Sequence, residues 1–264
     1  MQNSKSIFGF LLKSKGRHGI HSPFVFDFVD NCLTTKVDKN FLNSRKNWLQ
    51  KAKKDREQFK ITDLGAGSKQ MGKTRSVSEL AKKASSAGIY GEILWKIAHH
   101  YQPKLLLELG TSIGTGSIHL KSGNPNSHLI TVEGCDRILL KASQQFDTWN
   151  LTGITTICAS FDEFVKLPCI GGTYDLIFLD GNHSGEATLR YIDMLFQHTD
   201  HNTAFILDDI RWSDGMWNCW NQLVNDDRFH VSIDLGRMGI LWRRDEQTKE
   251  HFTIRPKIFK NRFF

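Results

Sequence analysis

From residue 103 onward, short apolar runs alternate with amphipathic stretches at regular spacing, and this alternation constrains the fold more than any other feature. Residues 105–109, 129–132, 154–159, 176–179 and 204–207 form runs of about strand length with few polar side chains. They read as strands buried on both faces. Between them, 114–121, 136–149, 161–165 and 184–196 read as helices. Strands that alternate with helices in this way pair in parallel and are covered on both sides. After a further helix at 215–224 the alternation stops, and 230–235 and 238–242 flank Gly236 and Arg237 as a tight antiparallel hairpin. The expected fold class is α/β, with a mostly parallel sheet closed by a C-terminal hairpin.

The first 86 residues have a different texture. Ser22-Pro23 opens an apolar helix over 24–33, with a capping serine and proline at the first helical position. The polar, basic stretch 44–59 reads as a second helix. Ser76 and Glu79 have the spacing of a capping box before Leu80, and apolar residues at helical spacing mark a helix over 88–100. The expected organisation is an N-terminal helical extension (1–86) with a glycine loop, a principal domain (87–245) and a basic-aromatic tail (246–264).

Net charge is +7. In the tail, Arg255, Lys257, Lys260 and Arg262 interleave with Ile254, Ile258, Phe259, Phe263 and Phe264. Such a tail either packs through its aromatics or touches an anionic partner such as nucleic acid. The modest charge bias favours the first reading and a small-molecule partner. No apolar run approaches the roughly 18 residues of a membrane span, and residues 1–15 lack the pattern of a secretory leader. The 5 cysteines are scattered without a C-x-x-C pair, which argues against a zinc cluster or a disulfide framework and fits a reducing, cytoplasmic setting. A homodimer is compatible with the sequence.

Three motifs carry chemistry. The first is the strand 105–109 running into Gly110-Thr111-Ser112-Ile113-Gly114-Thr115-Gly116. Glycines let the backbone approach a ligand, and the following helix offers unpaired N–H donors. Glu108 just before the turn would repel a pyrophosphate and suits a cationic, amine-bearing ligand. The second is Glu133, about 25 residues on at the end of the next strand, where an acid accepts ribose hydroxyls. The third is the strand ending at Asp180, followed by His183, with Asp208 and Asp209 ending the next strand. Ligands bind at the carboxyl ends of such strands. Three carboxylates there are candidates to hold Mg²⁺, and His183 is a candidate general base.

At these residues, from about 87 to 242, the chain resembles the catechol and caffeoyl-coenzyme A type O-methyltransferases, members of the class I S-adenosylmethionine-dependent methyltransferases. The resemblance implies a seven-stranded Rossmann-like sheet, S-adenosylmethionine as cofactor and O-methyl transfer to an acceptor the sequence does not identify. Gly88-Ile89-Tyr90-Gly91 stands where that family has a glycine-aromatic segment beside the cofactor. Glu108, Gly110, Thr111, Ser112 and Gly114 match its cofactor motif, and Glu133 its ribose-binding acid. Ser160, at the end of the third strand, is placed for the adenine. Asp180 matches a metal ligand that also lies near the cofactor, Asp208-Asp209 stands where the family has Asp-Asn, and Trp212 keeps a downstream tryptophan. There are two departures: Asp209 replaces an asparagine ligand, and His183 replaces a catalytic lysine. Two routes for the acceptor proton follow, a metal on Asp180, Asp208 and Asp209, or removal by His183 with Asp180 beside it. Arg17-His18-Gly19-Ile20-His21-Ser22-Pro23-Phe24 and 208–213 also resemble a bacterial subgroup of this type; His18 and His21 are either acceptor-pocket or structural residues.

Other readings compete. Gly67, Gly72, Lys73 and Thr74 fit G-x-x-x-x-G-K-[ST], a phosphate-binding loop of a nucleotide hydrolase. The preceding residues 59–64 are half polar, unlike the buried strand such a loop follows. Asp63, Gly65 and Gly67 also imitate the cofactor motif, and a lid or acceptor-site loop is one role for them. A short-chain dehydrogenase needs a tyrosine with a lysine four residues on, and none of Tyr90, Tyr101, Tyr174 or Tyr191 has one. A non-catalytic cofactor-binding protein would use the same glycine turn.

Overall fold

The structure is a computed structural model that describes residues 9–10, 12, 14, 20–60, 74–84, 88–168 and 172–255. The chain divides into two compact units, one of residues 35–168 and one of 1–34 with 169–264. The second unit begins with α1 (Pro23–Asp27), capped by Ser22, and the chain then widens into a π turn over Phe28–Cys32. Phe24 and Phe28 set ring edges against Trp242, with centroids 5.2 and 5.6 Å away.

In the unit of 35–168, α2 (Lys39–Ala52) starts at Asp38, whose carboxylate accepts the Phe41 N–H at 2.8 Å. Strands β1 (Gln58–Lys60) and β2 (Thr74–Ser76) form an antiparallel ribbon with Phe59 opposite Arg75. Helix α3 (Val77–Lys83) follows, and Ser76 and Glu79 form the expected capping box. Helix α4 (Ile89–Tyr101) leads to β3 (Leu105–Leu109), α5 (Thr115–Gly123), β4 (His128–Glu133), α6 (Asp136–Thr148), β5 (Ile154–Cys158) and α7 (Phe161–Phe164). The order β3-β4-β5 is parallel throughout, with Leu107 opposite Ile130 and Ile130 opposite Thr155. Phe41, Trp95, Ile118, Ala142 and Phe146 form one core that joins α2, α4, α5 and α6.

His119 is buried in this unit. Its Nδ1–H donates to the Thr115 carbonyl at 2.7 Å, which leaves Nε2 as an acceptor facing Arg45 Nη1 at 3.4 Å. Arg45 also pairs with Glu92 at 2.9 Å. Burial holds the imidazole neutral, with its pKa pushed down to about 3.

The other unit continues with β6 (Tyr174–Leu179), α8 (Gly185–Leu195), β7 (Thr199–Leu207), α9 (Asp214–Asn225), β8 (Val231–Asp234), β9 (Gly239–Trp242) and β10 (Glu250–Thr253). β6 and β7 are parallel, β9 runs antiparallel to both β7 and β8, and β10 pairs parallel with β8. The fold class is α/β with a mostly parallel sheet and a C-terminal hairpin, as expected.

The structure corrects several boundaries. The helix expected over 44–59 spans Lys39–Ala52 instead, and Phe59 is buried in a strand. Asp55 accepts the Glu57 N–H at 2.9 Å, a turn that separates helix from strand. β7 begins five residues before the expected run, with a polar half. β10 lies in what reads as tail and adds an edge strand. No helix among the described residues is long and apolar enough to cross a membrane.

Candidate active site

In the unit of 35–168, β3 delivers Glu108 to the base of the glycine turn, where it is fully buried. Its Oε2 accepts the hydroxyls of Ser117, from α5, and Thr131 at 2.6 Å, from β4. Thr131 gives its proton to Glu108, so the Thr111 hydroxyl donates to Thr131 at 2.6 Å. Glu108 thus braces both sides of the turn. Burial, with the nearby Glu133 charge and against the neutral donors of Ser117 and Thr131, lifts its pKa to about 7. Its second oxygen, Oε1, is buried with no hydrogen-bond partner among the described residues. An orphaned carboxylate oxygen of this kind is costly unless a donor arrives.

The turn is backbone-built. Gly110 and Thr111 both donate N–H to the Val132 carbonyl, at 2.9 and 3.2 Å. Gly110 (φ 112°), Ser112 (φ 49°) and Gly114 (φ 84°) adopt left-handed conformations. A Cβ on Gly114 would stand 2.7 Å from Phe146 Cε1, so a side chain is excluded there by both φ and space. Glu133, at the end of β4, accepts the N–H of Ser112 at 3.0 Å and of Cys135 at 3.1 Å. Those two bonds fix the carboxylate beside the turn. Tyr90 is half-buried and Gly91 buried in the first turn of α4. The Ser160 hydroxyl is engaged with Glu163, whose N–H it accepts at 3.2 Å and whose carboxylate it meets at 2.7 Å, so it caps α7. A cavity of about 610 Å³ in the same unit is lined by Trp48, Lys51, Val77, Ile113, Lys141 and Gln145 among others; none of the expected cofactor residues lines it.

In the other unit, β6 ends just before Asp180, which is half-buried, and β7 ends before Asp208 and Asp209, which are buried. Asp208 donates its N–H to the Leu179 carbonyl at 3.0 Å, which ties the two strand ends together. Asp209 takes a left-handed conformation (φ 53°), uncommon for a residue with a side chain. His183 Nε2 lies 3.7 Å from Asp209 Oδ2, and its ring is 5.6 Å from that of Trp212, which is 46 % exposed. Asn182, also left-handed, donates to the Tyr191 hydroxyl at 2.9 Å.

Sequence reasoning missed Arg237. Its guanidinium meets both acids: Nε lies 3.2 Å from Asp208 Oδ1 and 2.7 Å from Asp209 Oδ1, and Nη2 lies 3.3 Å from Asp208 Oδ2 and 3.0 Å from Asp209 Oδ2. The Asp209 carboxyl is held above its ordinary value, because burial and the neighbouring Asp208 raise it more than Arg237 and His183 lower it. The Arg237 pKa is raised: burial opposes its charge, but the carboxylates of Asp208, Asp209 and Asp180 outweigh it. A second arginine fixes the turn. Arg211 pairs with Asp234 at 2.8 and 2.5 Å and donates to the Gly236 carbonyl. Only the position of Arg237 in a hairpin turn hinted at a role.

The residues expected to hold a divalent ion do not fit one. Both carboxylates of Asp208 and Asp209 face a guanidinium, and no group of three histidine, cysteine, aspartate or glutamate side chains among the described residues is arranged to hold a metal. The phosphate-loop alternative also meets a difficulty. Residues 61–73 lie outside the described ones, and Thr74, which should open a helix, begins strand β2. His18 lies outside the described residues, and His21 is exposed.

A mostly parallel α/β fold with a glycine turn after its first sheet strand and an acid ending the second defines the class I methyltransferase architecture. Residues 107–210 match the family model of a methyltransferase domain. A comparison with curated proteins gives no match. Solved structures of low identity share the fold. The SAH-bound methyltransferase PaMTH1 of Podospora anserina has a TM-score of 0.57 at 15% identity, over 84% of this chain and 97% of that one. The O-methyltransferase TomG of Streptomyces achromogenes, in complex with SAM, has 0.52 at 14%, over 83% and 96%. The O-methyltransferase of Bacillus cereus, in complex with SAH, has 0.51 at 13%, over 88% and 99%.

Proposed function

We propose that this protein binds S-adenosylmethionine on the glycine turn and transfers its methyl group to an oxygen of a small-molecule acceptor. The observation that carries the reading is the Glu133 carboxylate, held beside the turn by the N–H groups of Ser112 and Cys135. It is an acid built into the position where a ribose needs acceptors. The orphaned Glu108 Oε1 supports the same reading, because an ammonium or an ordered water beneath the turn would satisfy it.

The cofactor supplies an electrophilic methyl carbon on a sulfonium. The protein's share is positioning and proton removal. Gly110 to Gly114 bring backbone close to the ligand, Glu133 receives the ribose hydroxyls, and Glu108 holds the turn rigid through Ser117 and Thr131. Tyr90, Gly91 and Ser160 complete the cofactor side, Ser160 through its backbone because its hydroxyl caps α7. His183, partly exposed and oriented by Asp209 and Trp212, takes the acceptor proton; Asp180 stands near this acidic group.

Calorimetric titration with S-adenosylhomocysteine tests the cofactor half. Binding that Glu133→Ala weakens by about 10- to 100-fold is expected, since it removes a charged hydrogen-bond acceptor worth roughly 1.5–3 kcal/mol. His183→Gln is expected to lower kcat about 100-fold or more with cofactor affinity unchanged, as loss of a general base does.

A further inference from the structure

We infer that this site works without a divalent metal, because the Arg237 guanidinium is the built-in cation of the Asp208-Asp209 pair. Each of the four carboxylate oxygens lies within 2.7–3.3 Å of Arg237 Nε or Nη2. A hard divalent ion binds the same lone pairs at roughly 2.0–2.6 Å and asks for about six oxygens. It would have to displace the guanidinium or sit beside it, against a full positive charge.

The main chain that carries Arg237 is tied down. The Arg237 carbonyl accepts the Ile210 N–H at 2.9 Å, so the segment carrying the two acids is bonded to the turn carrying the arginine. The Leu235 N–H donates to the Met238 carbonyl at 2.9 Å and closes the turn, in which Gly236 supplies φ 96°. Arg211 grips Asp234 and the Gly236 carbonyl from the other side, with only 4% and 3% of the Arg211 and Asp234 side chains exposed. The Asp180 charge also acts on Arg237. The two carboxylates of Asp208 and Asp209 therefore share one covalently attached cation. Unlike a metal ion, it neither exchanges with solvent nor is removed by a chelator.

The consequence for the acceptor rests on the methyltransferase reading; the exclusion of metal does not. A bound metal would accept two neighbouring oxygens of an acceptor and acidify one of them. A guanidinium held by four carboxylate oxygens does neither. The acceptor class that fits is one with a single reacting oxygen and no need for a chelating pair.

Mn²⁺ titration of the full chain, with free ion read by electron paramagnetic resonance, tests the inference. Wild type is expected to leave the free Mn²⁺ signal as it is in buffer. Arg237→Gln, which removes the charge and keeps the length, is expected to bind one Mn²⁺ per chain at least about tenfold more tightly than wild type, and Asp209→Asn in that background to abolish the gain. Arg237→Lys retains a cation and is expected to behave as wild type. Stoichiometric Mn²⁺ binding by wild type that is lost in Asp208→Asn overturns the inference. So does a folded Arg237→Gln that binds no more Mn²⁺ than wild type. If Arg237→Gln does not fold, the wild-type titration decides alone. S-adenosylhomocysteine titration of the same samples reports separately on the cofactor reading: its failure removes the acceptor consequence and leaves the metal result standing.

Discussion

Two groups of buried carboxylates in this protein are stabilised by opposite means. Glu108, under the glycine turn, receives the hydroxyls of Ser117 and Thr131, which are neutral donors. Asp208 and Asp209, at the ends of paired strands, receive a guanidinium. Neutral donors do not offset the loss of water around a charge, so Glu108 is pushed up to about 7 and carries a proton over much of the physiological range. A guanidinium supplies charge as well as fork-shaped donors, and the adjacent acids can share it. The difference teaches what each site is ready for. Glu108 ionises when a cation arrives, which suits a place where a charged ligand binds and leaves. The Asp208-Asp209 pair already has its cation.

The largest expected effect lies on the guanidinium side. Arg211→Ala strips a buried partner from Asp234 and should destabilise the protein by about 3–5 kcal/mol, read by urea denaturation. A loss below about 1 kcal/mol would show that Arg211 does not hold Asp234 in place.

The next effect is pH dependence on the hydroxyl side. Glu108 has a folded pKa near 7 against an ordinary 4.5, so its contribution to stability is fully present below about 4.5 and is lost as pH rises through 7. His119 has the opposite sign: with a folded pKa near 3 against 6.5, its contribution is present above 6.5 and is lost as pH falls toward 3. Glu108→Gln should therefore become more stable relative to wild type between pH 5 and 8, by an amount on the order of a few kcal/mol. A pH-independent difference would mean that Glu108 does not titrate in that window. Cofactor binding sharpens the point: uptake of a cationic ligand near pH 6.5 should release a proton from wild type, visible as a buffer-dependent heat, and none from Glu108→Gln.

A smaller effect is expected at the turn. Gly114→Ala forces an alanine to φ 84° against Phe146 and should cost about 1–3 kcal/mol, with weaker cofactor binding. An alanine variant as stable as wild type would show that the turn is not constrained by its packing.

Much of this was legible in the sequence for a physical reason. Strands buried on both faces must be apolar throughout, so β3, β4 and β6 stand out as runs, and Glu108, Glu133 and Asp180 are conspicuous as the acids that interrupt or follow them. Edges escape that logic. β10 is held by its ladder with β8 rather than by apolar burial, and it reads as tail. The polar first half of β7 is hidden for the same reason. The end of the helix expected over 44–59 is hidden because its stop signal is an aspartate turn at Asp55 rather than glycine or proline. Arg237 shows the deeper limit. Periodicity places it in a hairpin turn, but only the register of β7, β8 and β9 brings that turn to Asp208 and Asp209. The acids looked like a metal site because the cation that meets them is more than 25 residues away in sequence.

Titration of the purified chain with S-adenosylhomocysteine asks whether the glycine turn with Glu133 binds a methyl donor. One ligand per chain with a dissociation constant in the micromolar range, weakened at least about tenfold by Glu133→Ala and by Gly114→Ala, is the result predicted. No saturable heat with the folded wild-type chain, or binding that neither substitution changes, would contradict it.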